Sequence, residues 1–430
     1  MARKMKDSGI EWIGEIPEGW EIKRLGAILQ ERNEVNNPIQ TTSILSLTNN
    51  RGVTPYSEKG NQGNKAKDDL TGYKIAHIGD IVLNSMNVII GSVGLSNYYG
   101  AVSPVYYMLF PRNNIETNIQ YYNYLFQTTA FQQSLRGYGN GILEIRMRIQ
   151  MQKLKTVLLP VPTFLEQSNI TVYLDASLSK LNILLSKIRS SIEEYKKLKQ
   201  AVITQAVTKG VRGEREMKDS GIEWIGEIPK EWVIQKIKSI SSRINVGVVI
   251  RPSEYFDENG TVPFLRGINV KEYLISSDNM VYINESSNHI LSKSQVHTDD
   301  ILIVRDGSIG TSCVVPAEYD GANVVSMVIV TPSISCDSRF TCYSLNSDVG
   351  KTQFTLTKIG SALTHTSVSA VSDIIVTVPS CAEQKEIADY LDAKCAEIDK
   401  LIAKKEQLVK ELESYKKSLI YEVVTGKREV

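Results

Sequence analysis

A glycine-rich loop with arginines on both sides is the strongest candidate for binding chemistry in this sequence. It reads Arg136-Gly-Tyr-Gly-Asn-Gly141, and two further arginines follow it closely. Arginine suits guanine edges or phosphates, asparagine suits adenine, and glycine lets a backbone approach a ligand. The pattern favours contacts to a nucleic acid, although a solvated turn remains the alternative. The candidate side chains here are Arg136, Tyr138, Asn140, Arg146 and Arg148.

Other basic and amide side chains are weaker candidates for the same chemistry. Surface lysines usually serve only solubility, and Arg305 is equally suited to an ion pair with Asp306 or another carboxylate. These further candidates are Lys65, Lys67, Lys74, Asn84 and Asn87 in the first half of the chain and Arg251, Arg266, Arg305 and Lys358 in the second.

Residue patterns typical of enzymes are missing from the sequence. The four histidines show no metal-ligand spacing, the five cysteines form no CxxC pair, and no Gly-x-Ser-x-Gly or dinucleotide motif occurs. The glycines at 91, 94, 307 and 310 are interpreted as turn residues, because no phosphate-loop sequence follows them. We therefore expect a binding or assembly role, with no catalytic residue, metal site or cofactor in this chain.

Composition places the chain among ordinary globular proteins. It has 430 residues with 42% hydrophobic and 23% charged residues, and its net charge of +1 gives no overall nucleic-acid signature. Its start has no apolar signal segment, and no stretch reaches the length of a membrane span. These features, with the odd number of cysteines, favour a cytoplasmic location.

The sequence contains an internal tandem repeat. The thirteen residues from Met5 to Pro17 recur unchanged from Met217 to Pro229. A second match closes each half, where 162–175 aligns with 379–392. Residues 26–150 and 239–370 have diverged except for a strand-turn motif. We call these two stretches the first and second inserts, and the repeated opening and closing parts of the chain the frame.

Both inserts are rich in short β-prone runs separated by Asn, Ser, Thr and Gly turns, with a helical stretch near 119–135. We interpret them as mixed α/β domains dominated by strands. The first insert carries ten Lys/Arg against eight Asp/Glu, and the second carries nine against thirteen. The acidity of the second insert argues against a phosphate-binding surface spread over it, but not against a local group of base-reading side chains.

Each closing segment predicts a long helix. The sequences Thr163-x-x-Glu166 and Ser380-x-x-Glu383 are capping boxes, and no proline or glycine follows until Gly210 and Gly426. Each helix would have about 45 residues and a length of about 65–70 Å. Apolar residues recur at alternating steps of three and four, as in coiled coils. The predicted helix-pair interface is Leu174, Leu178, Leu181, Leu185, Ile188, Ile192 and Tyr195 with Leu391, Ile398, Ile402, Val409, Leu412 and Leu419.

A stripe of this length needs a partner helix, and the other copy is the simplest one. The link between residues 209 and 219 is short, so the second helix has to run back along the first. The predicted fold class is α+β: two mixed, strand-rich domains joined by two long antiparallel helices, in a pseudo-twofold tandem repeat. The alternative is that each helix packs only on its own domain.

The repeated segments resemble those of type I restriction–modification specificity subunits. The resemblance lies in Lys6-Asp-Ser-Gly-Ile-Glu-Trp-Ile-Gly-Glu-Ile-Pro-Glu-Gly-Trp20 with its twin, and in the Glu-Gln-x-x-Ile-x-x-x-Leu-Asp helix starts within 162–175 and 379–392. It implies a first target-recognition domain at 1–161, a spacer helix at 162–210, a second target-recognition domain at 211–378 and a second spacer helix at 379–430.

The resemblance also implies a function and partners. Each insert would read one half of a bipartite, asymmetric site in double-stranded DNA, while the helices set the gap and dock two modification (methyltransferase) subunits. Those partner subunits would bind S-adenosylmethionine, and two restriction–translocation subunits would complete a nuclease. The alternative from the residues alone is a coiled-coil adaptor whose inserts bind proteins or peptides.

Overall fold

The computed structural model describes residues 3–48, 52–59, 65–140, 148–359 and 365–430. The chain divides into a first unit, formed by Met1–Arg189 and Gln407–Val430, and a second unit, formed by Ser190–Glu406. Each unit therefore contains one insert and parts of both long helices.

The first half of the chain consists of short strands, four short helices and one long helix. The strands are β1 (Met5–Ile10), β2 (Gly14–Pro17), β3 (Glu21–Arg24), β4 (Leu29–Arg32), β5 (Leu45–Thr48), β6 (Gly52–Pro55), β7 (Lys74–Ala76), β8 (Ile81–Asn84), β9 (Val93–Leu95), β10 (Gly100–Val102), β11 (Tyr106–Pro111), β12 (Gly139–Asn140), β13 (Arg148–Ile149) and β14 (Leu158–Val161). The helices are α1 (Leu25–Ile28), α2 (Ile119–Gln127), α3 (Thr129–Ser134), α4 (Met151–Leu154) and α5 (Phe164–Lys209).

The second half repeats this plan. Its strands are β15 (Met217–Asp219), β16 (Glu227–Pro229), β17 (Val233–Lys236), β18 (Ser241–Val246), β19 (Val262–Leu265), β20 (Val270–Lys271), β21 (Leu274–Ile275), β22 (Val281–Ile283), β23 (Ile301–Val304), β24 (Ser312–Val314), β25 (Asn323–Val324), β26 (Met327–Pro332) and β27 (Ile375–Val378). Its helices are α6 (Glu285–Ile290), α7 (Ser338–Asn346), α8 (Asp348–Ile359), α9 (Val368–Ser372) and α10 (Cys381–Val424).

The two inserts share one sheet topology despite their different sequences. The first contains an antiparallel four-stranded sheet in the order β4-β11-β8-β9, and the second contains β18-β26-β23-β24 in the same order. The strand-turn motif that the sequences share forms the β8–β9 and β23–β24 hairpins. Each insert is closed by a pair of frame strands, β3 with β14 and β17 with β27.

The helices of the inserts differ from expectation. The helical stretch predicted near 119–135 is two helices, because Thr128 leaves the helical conformation and its hydroxyl accepts a hydrogen bond from the N–H of Phe131. The second insert contains the corresponding pair, α7 and α8, which the sequence analysis did not predict. Both pairs supply large side chains to the cores of their units.

The two long helices are confirmed, with 46 residues in α5 and 44 in α10. A glycine at positive φ follows each helix: Gly210 (77°) directly after α5 and Gly426 (74°) two residues after α10. All thirteen residues of the predicted interface are buried or partly buried in these helices. The regular three- and four-residue spacing therefore gives each helix one buried face.

In the first unit, the start of α5 packs against the end of α10. Leu174 and Leu178 share a hydrophobic cluster with Leu419 and Val423. Further along α5, Asn182 accepts a hydrogen bond from Lys416, 2.8 Å away. Contacts further along α5 are made with residues earlier in α10, so the two helices are antiparallel in this unit.

In the second unit, the end of α5 packs against the start of α10. Ile203 and Val207 cluster with Ile387 and Leu391. The ammonium of Lys199 lies 2.6 Å from the carboxylate of Asp399. The predicted fold class, with strand-rich domains, antiparallel long helices and a tandem repeat, is thereby confirmed. Among the described residues, no helix is long and apolar enough to cross a membrane.

Candidate nucleic-acid interface

The start of α5 is fixed to the first repeated segment through Glu166. The predicted capping box is present, because the Glu166 carboxylate accepts from the Thr163 N–H and the Thr163 hydroxyl accepts from the Glu166 N–H. The other carboxylate oxygen accepts from the Trp20 indole N–H at 3.2 Å and from Arg3. Partial burial raises the pKa of Glu166, but hydrogen bonds from Trp20 and Thr163 lower it to a net value below the usual range.

The second copy uses its glutamate differently. The Glu383 N–H donates to the Ser380 hydroxyl, as a capping box requires. Its buried carboxylate instead accepts from Arg215 at 2.6 Å and from the Trp232 indole at 3.1 Å. The local capping box is therefore only half formed, because a tertiary ion pair takes the carboxylate.

The next residue of each motif fixes an insert to its helix. Gln167 accepts from the Asn118 N–H at 2.8 Å, and Gln384 accepts from the Asp337 N–H at 2.9 Å. The two amides therefore hold the residues that cap α2 in the first insert and α7 in the second. About two helical turns further along each long helix, Asp175 accepts a hydrogen bond from Tyr124, and Asp392 accepts one from Tyr343. The repeated motif thus positions the insert helices on the frame.

In each insert sheet a partly exposed arginine pairs with a buried aspartate. In the first insert Arg32 binds Asp80 at 2.9 Å, and in the second Arg243 binds Asp300 at 2.9 Å. Each aspartate also accepts from the backbone N–H of a histidine three residues earlier. Asp80 and Asp300 stand directly before the strands β8 and β23, and the arginines lie in β4 and β18, so each pair connects two strands of its sheet.

The hairpin turn of the first insert lies beside the arginine-bearing strand. The Ile149 N–H donates to the Ser85 carbonyl at 3.0 Å, and Arg148 pairs with Asn140 across β12 and β13. This contact brings residues 84–92 together with 136–140 and 148–149, and we call this set the first insert surface. Arg136 and Arg148 are exposed, and neither forms an ion pair with another described side chain.

The second insert has a corresponding surface. The turn after β23 is bonded to the segment before α9, because Arg305 and Thr366 exchange two hydrogen bonds of 3.0 and 3.1 Å. We call residues 305–311 with 365–366 the second insert surface. Arg305 donates to the Thr366 carbonyl, and Asp306 accepts from Ser326 instead of from Arg305. Among the described residues, the structure therefore shows no ion pair between Arg305 and Asp306.

The candidate residues divide into two groups by position. The first insert surface brings together Asn84, Asn87, Arg136, Tyr138 and Arg148, and the backbone of Asn140. Other candidates are already engaged elsewhere: Lys74 pairs with Glu31, Arg251 with Glu254, and Arg266 donates to the Asn279 carbonyl. Lys65 and Lys67 are exposed between β6 and β7. Arg146 and the side chains of Asn140 and Lys358 lie outside the described residues.

The predicted turn glycines differ in role. Gly91, Gly307 and Gly310 have φ values of 96°, 76° and 89°, which is typical of turns. Gly94 is instead a residue of β9, and a Cβ there would lie 2.9 Å from the Gly52 Cα. Close packing of β9 on β6 requires this glycine. Within the part of the chain that the structure describes, no cluster of three His, Cys, Asp or Glu residues could hold a metal ion.

The residues that position the inserts on the frame were not among the predicted site residues. Arg3 and Arg215 each stand two residues before the repeated Met5 and Met217, so the repeat extends to them. Tyr124 and Tyr343 lie at similar distances from the closing motifs, but only the fold brings them to Asp175 and Asp392. The histidines before Asp80 and Asp300 were visible as a shared His-x-x-Asp sequence.

The chain belongs to the family of the type I restriction modification DNA specificity domain. The family model matches it twice, over residues 17–194 and 229–411. These two matches together cover most of both units, and each includes one insert with most of one long helix.

Relatives of similar length carry the corresponding names. The chain is 26% identical to the putative type I restriction enzyme MjaX specificity subunit of Methanocaldococcus jannaschii, over 96% of this chain and 95% of that protein. It is 24% identical to the MjaVIII specificity subunit of the same organism, over 96% and 93%. The chain is therefore similar to type I specificity subunits along nearly its whole length.

Solved structures share the fold. One, from work on complex assembly and conformational transition of the type I R-M system, has a TM-score of 0.75 at 14% identity and covers 96% of this chain and 99% of its own. The HsdS subunit from Thermoanaerobacter tengcongensis gives 0.54 at 15% identity, with 96% and 98% covered. At these identities the likeness establishes the fold alone.

Proposed function

We propose that this chain is the DNA-recognition subunit of a type I restriction–modification complex and has no catalytic centre of its own. Each insert reads one half of a bipartite, asymmetric DNA site. Helices α5 and α10 fix the distance between the halves and dock two modification subunits. Membership of the specificity-domain family supports the recognition role.

The observation that carries the bipartite reading is one fold with two different surfaces. Both inserts have the same sheet order and an equivalent pair of an arginine with a buried aspartate. In the turn after the central strand the first insert has the partly buried Asn87, whereas the second has Arg305 and Asp306. Equal scaffolds with unlike polar groups suit two DNA half-sites of different sequence. Joining two weak readers in one chain also raises affinity through effective concentration.

Arg148 is the side chain of the first insert surface that we expect to contribute most to DNA binding. It is exposed and has no carboxylate partner among the described side chains. Arg148→Ala is expected to weaken binding of the assembled complex by about 1–3 kcal/mol, or roughly 5- to 150-fold. Fluorescence anisotropy with a duplex that contains the recognised site, at two salt concentrations, measures this change.

Lys67→Ala is the matched control for this experiment. Lys67 is equally exposed and basic, but it lies between β6 and β7 and outside the first insert surface. Its removal should change affinity less than about twofold, as for most surface charges. Equal losses in both variants would mean that affinity follows charge alone and that the first insert surface has no special role.

Two copies of one partner are proposed to dock on the long helices. In the first unit Leu184 and Tyr415 are exposed, and in the second unit Leu401 and Leu198 are exposed. A shift of 217 residues relates Leu184 to Leu401 and Leu198 to Tyr415. Equivalent apolar groups that recur in each unit fit two copies of the same protein, the modification subunit. S-adenosylmethionine would bind to those modification subunits, and restriction–translocation subunits would complete the nuclease.

The proposed spacing role can be tested by lengthening both helices. Because each unit pairs parts of α5 and α10, seven residues are inserted after Arg189 and seven after Glu406, where the two units meet in sequence. One heptad adds about 10.5 Å, so the gap between half-sites should grow by about three base pairs while both half-sites stay the same. Sequencing of methylated sites measures this, and a changed half-site would contradict the spacing role.

Methylome sequencing of a host with and without this chain, each supplied with the modification subunit, tests the proposal as a whole. A two-part adenine-methylated motif is expected only in the presence of the chain. The net negative charge of the second insert favours a second candidate, an adaptor that binds two proteins. An unchanged methylome together with salt-insensitive, DNA-free assembly would support the adaptor and overturn our proposal.

A further inference from the structure

The outer face of the first half of α5 carries an apolar stripe. Leu165 and Val172 are each 69% exposed, and Ile183 is 56% exposed. Spacings of seven and eleven residues correspond to almost two and almost three helical turns, so these three side chains share one face. Leu174, nine residues after Leu165, is fully buried on the opposite face. The stripe is therefore separate from the contact between α5 and α10.

The corresponding face of α10 is charged. The 217-residue shift relates Leu165, Val172 and Ile183 to Ala382, Asp389 and Lys400, which are all exposed. Asp389 also binds Arg339 at 2.9 Å. Single apolar residues on a surface are ordinary, but three on one line, of which the repeat replaces two with charged residues and one with alanine, call for an explanation.

We infer that the two modification subunits are held unequally: the copy on the first unit gains apolar contact with this stripe of α5, and the copy on the second unit meets charged side chains of α10 at the equivalent place. This inference rests on the proposed docking of one partner twice. Apolar contact depends little on salt, whereas interactions between exposed charges are screened within about 3 Å at 1 M salt. The copy on the second unit should therefore leave first as salt rises.

The experiment uses the full chain in complex with its modification subunit. The salt concentration is raised from about 0.1 M to about 1 M, and the number of bound copies is counted by mass photometry. Two copies are expected at low salt and one at high salt. Hydrogen exchange should then keep residues 165–183 protected while residues 382–400 become exposed to exchange.

Reciprocal variants exchange the two faces, and all four substituted side chains are exposed, so the fold should be retained. Val172→Asp with Ile183→Lys gives the first face the charges of the second, and both copies should then be lost at high salt. Asp389→Val with Lys400→Ile makes the second face apolar, and both copies should stay bound. Lys400→Ile alone keeps the Asp389–Arg339 pair and should act in the same direction.

Three outcomes separate this inference from the proposed function. If both copies leave the natural chain together at every salt concentration, or if the face variants change nothing, the inference is wrong and the proposed docking stands. If the copy on the second unit is the one retained, the assignment of the two faces is wrong. If no modification subunit binds at low salt, the proposed function and the inference both fail.

Discussion

Glu383→Gln is expected to destabilise the second unit by about 2–3 kcal/mol, because it removes the buried carboxylate from the largely buried Arg215 and leaves that cation paired only with Glu231, whose side chain is 56% exposed. Glu383 is 2% exposed and binds both Arg215 and Trp232. Arg215 also donates to the Lys209 carbonyl at 2.9 Å, at the end of α5. One carboxylate thus connects the start of α10, the repeated segment and the end of α5, and glutamine supplies no charge for Arg215.

Glu166→Gln in the first unit is the matched control, because Glu166 holds the equivalent place beside Trp20 and Arg3. The Glu166 side chain is 31% exposed and that of Arg3 is 29% exposed, so water screens the pair. Its loss should cost about 1 kcal/mol. Hydrogen exchange measured by mass spectrometry reports the stability of each unit separately. Equal losses of stability in the two units, or a loss confined to the first unit, would contradict the expectation that the buried carboxylate contributes more to stability than the partly exposed one.

The frame could be predicted from the sequence because the chain contains its own comparison. The unchanged run at 5–17 and 217–229 marked the equivalent parts. The helix starts followed from local capping chemistry, and the helix length followed from the absence of glycine and proline up to Gly210. Local rules of this kind need no knowledge of distant residues.

The inserts were less predictable because their strands are short. Strands such as β8 and β9 have four and three residues, too few to give a clear alternation, and their sheet order is decided by tertiary packing. Only the hairpin motif common to both inserts was visible in advance. No local sequence pattern indicated that Arg32 pairs with Asp80, which lies 48 residues away in the chain.

Which of the candidate site residues are available to a ligand could not be predicted from the sequence either. Residue type alone made both Lys74 and Arg148 candidates for DNA binding, with Lys74 the weaker of the two. The fold separates them, because Lys74 is half-buried between Glu31 and the Tyr106 carbonyl, whereas Arg148 lies exposed beside the hairpin turn. A basic side chain is available to a ligand only if no carboxylate lies beside it in the folded chain. The spacing of the basic residues in the sequence does not contain that information.

A chain that carries the first insert in both frames is expected to lose methylation at the original site and to methylate an inverted repeat of the first half-site. Residues 239–370 are replaced by a second copy of 26–150. The ends of the insert suit this exchange, because the frame strands beside them, β3 and β14, are paired with each other. Each wrong base pair costs about 1–3 kcal/mol, so three mismatches should weaken recognition of the original site by at least about 100-fold.

The exchange also preserves the attachment to the frame. Gln384 and Asp392 in the second unit are identical in type to Gln167 and Asp175, so the transplanted Asn118 and Tyr124 meet the partners that they have in the first unit. The reverse chain, with 239–370 in both frames, is the control and should methylate an inverted repeat of the second half-site. Methylome sequencing decides between the outcomes. A direct repeat would contradict the twofold relation of the frame, and an unchanged site in both chains would mean that the inserts do not select DNA sequence.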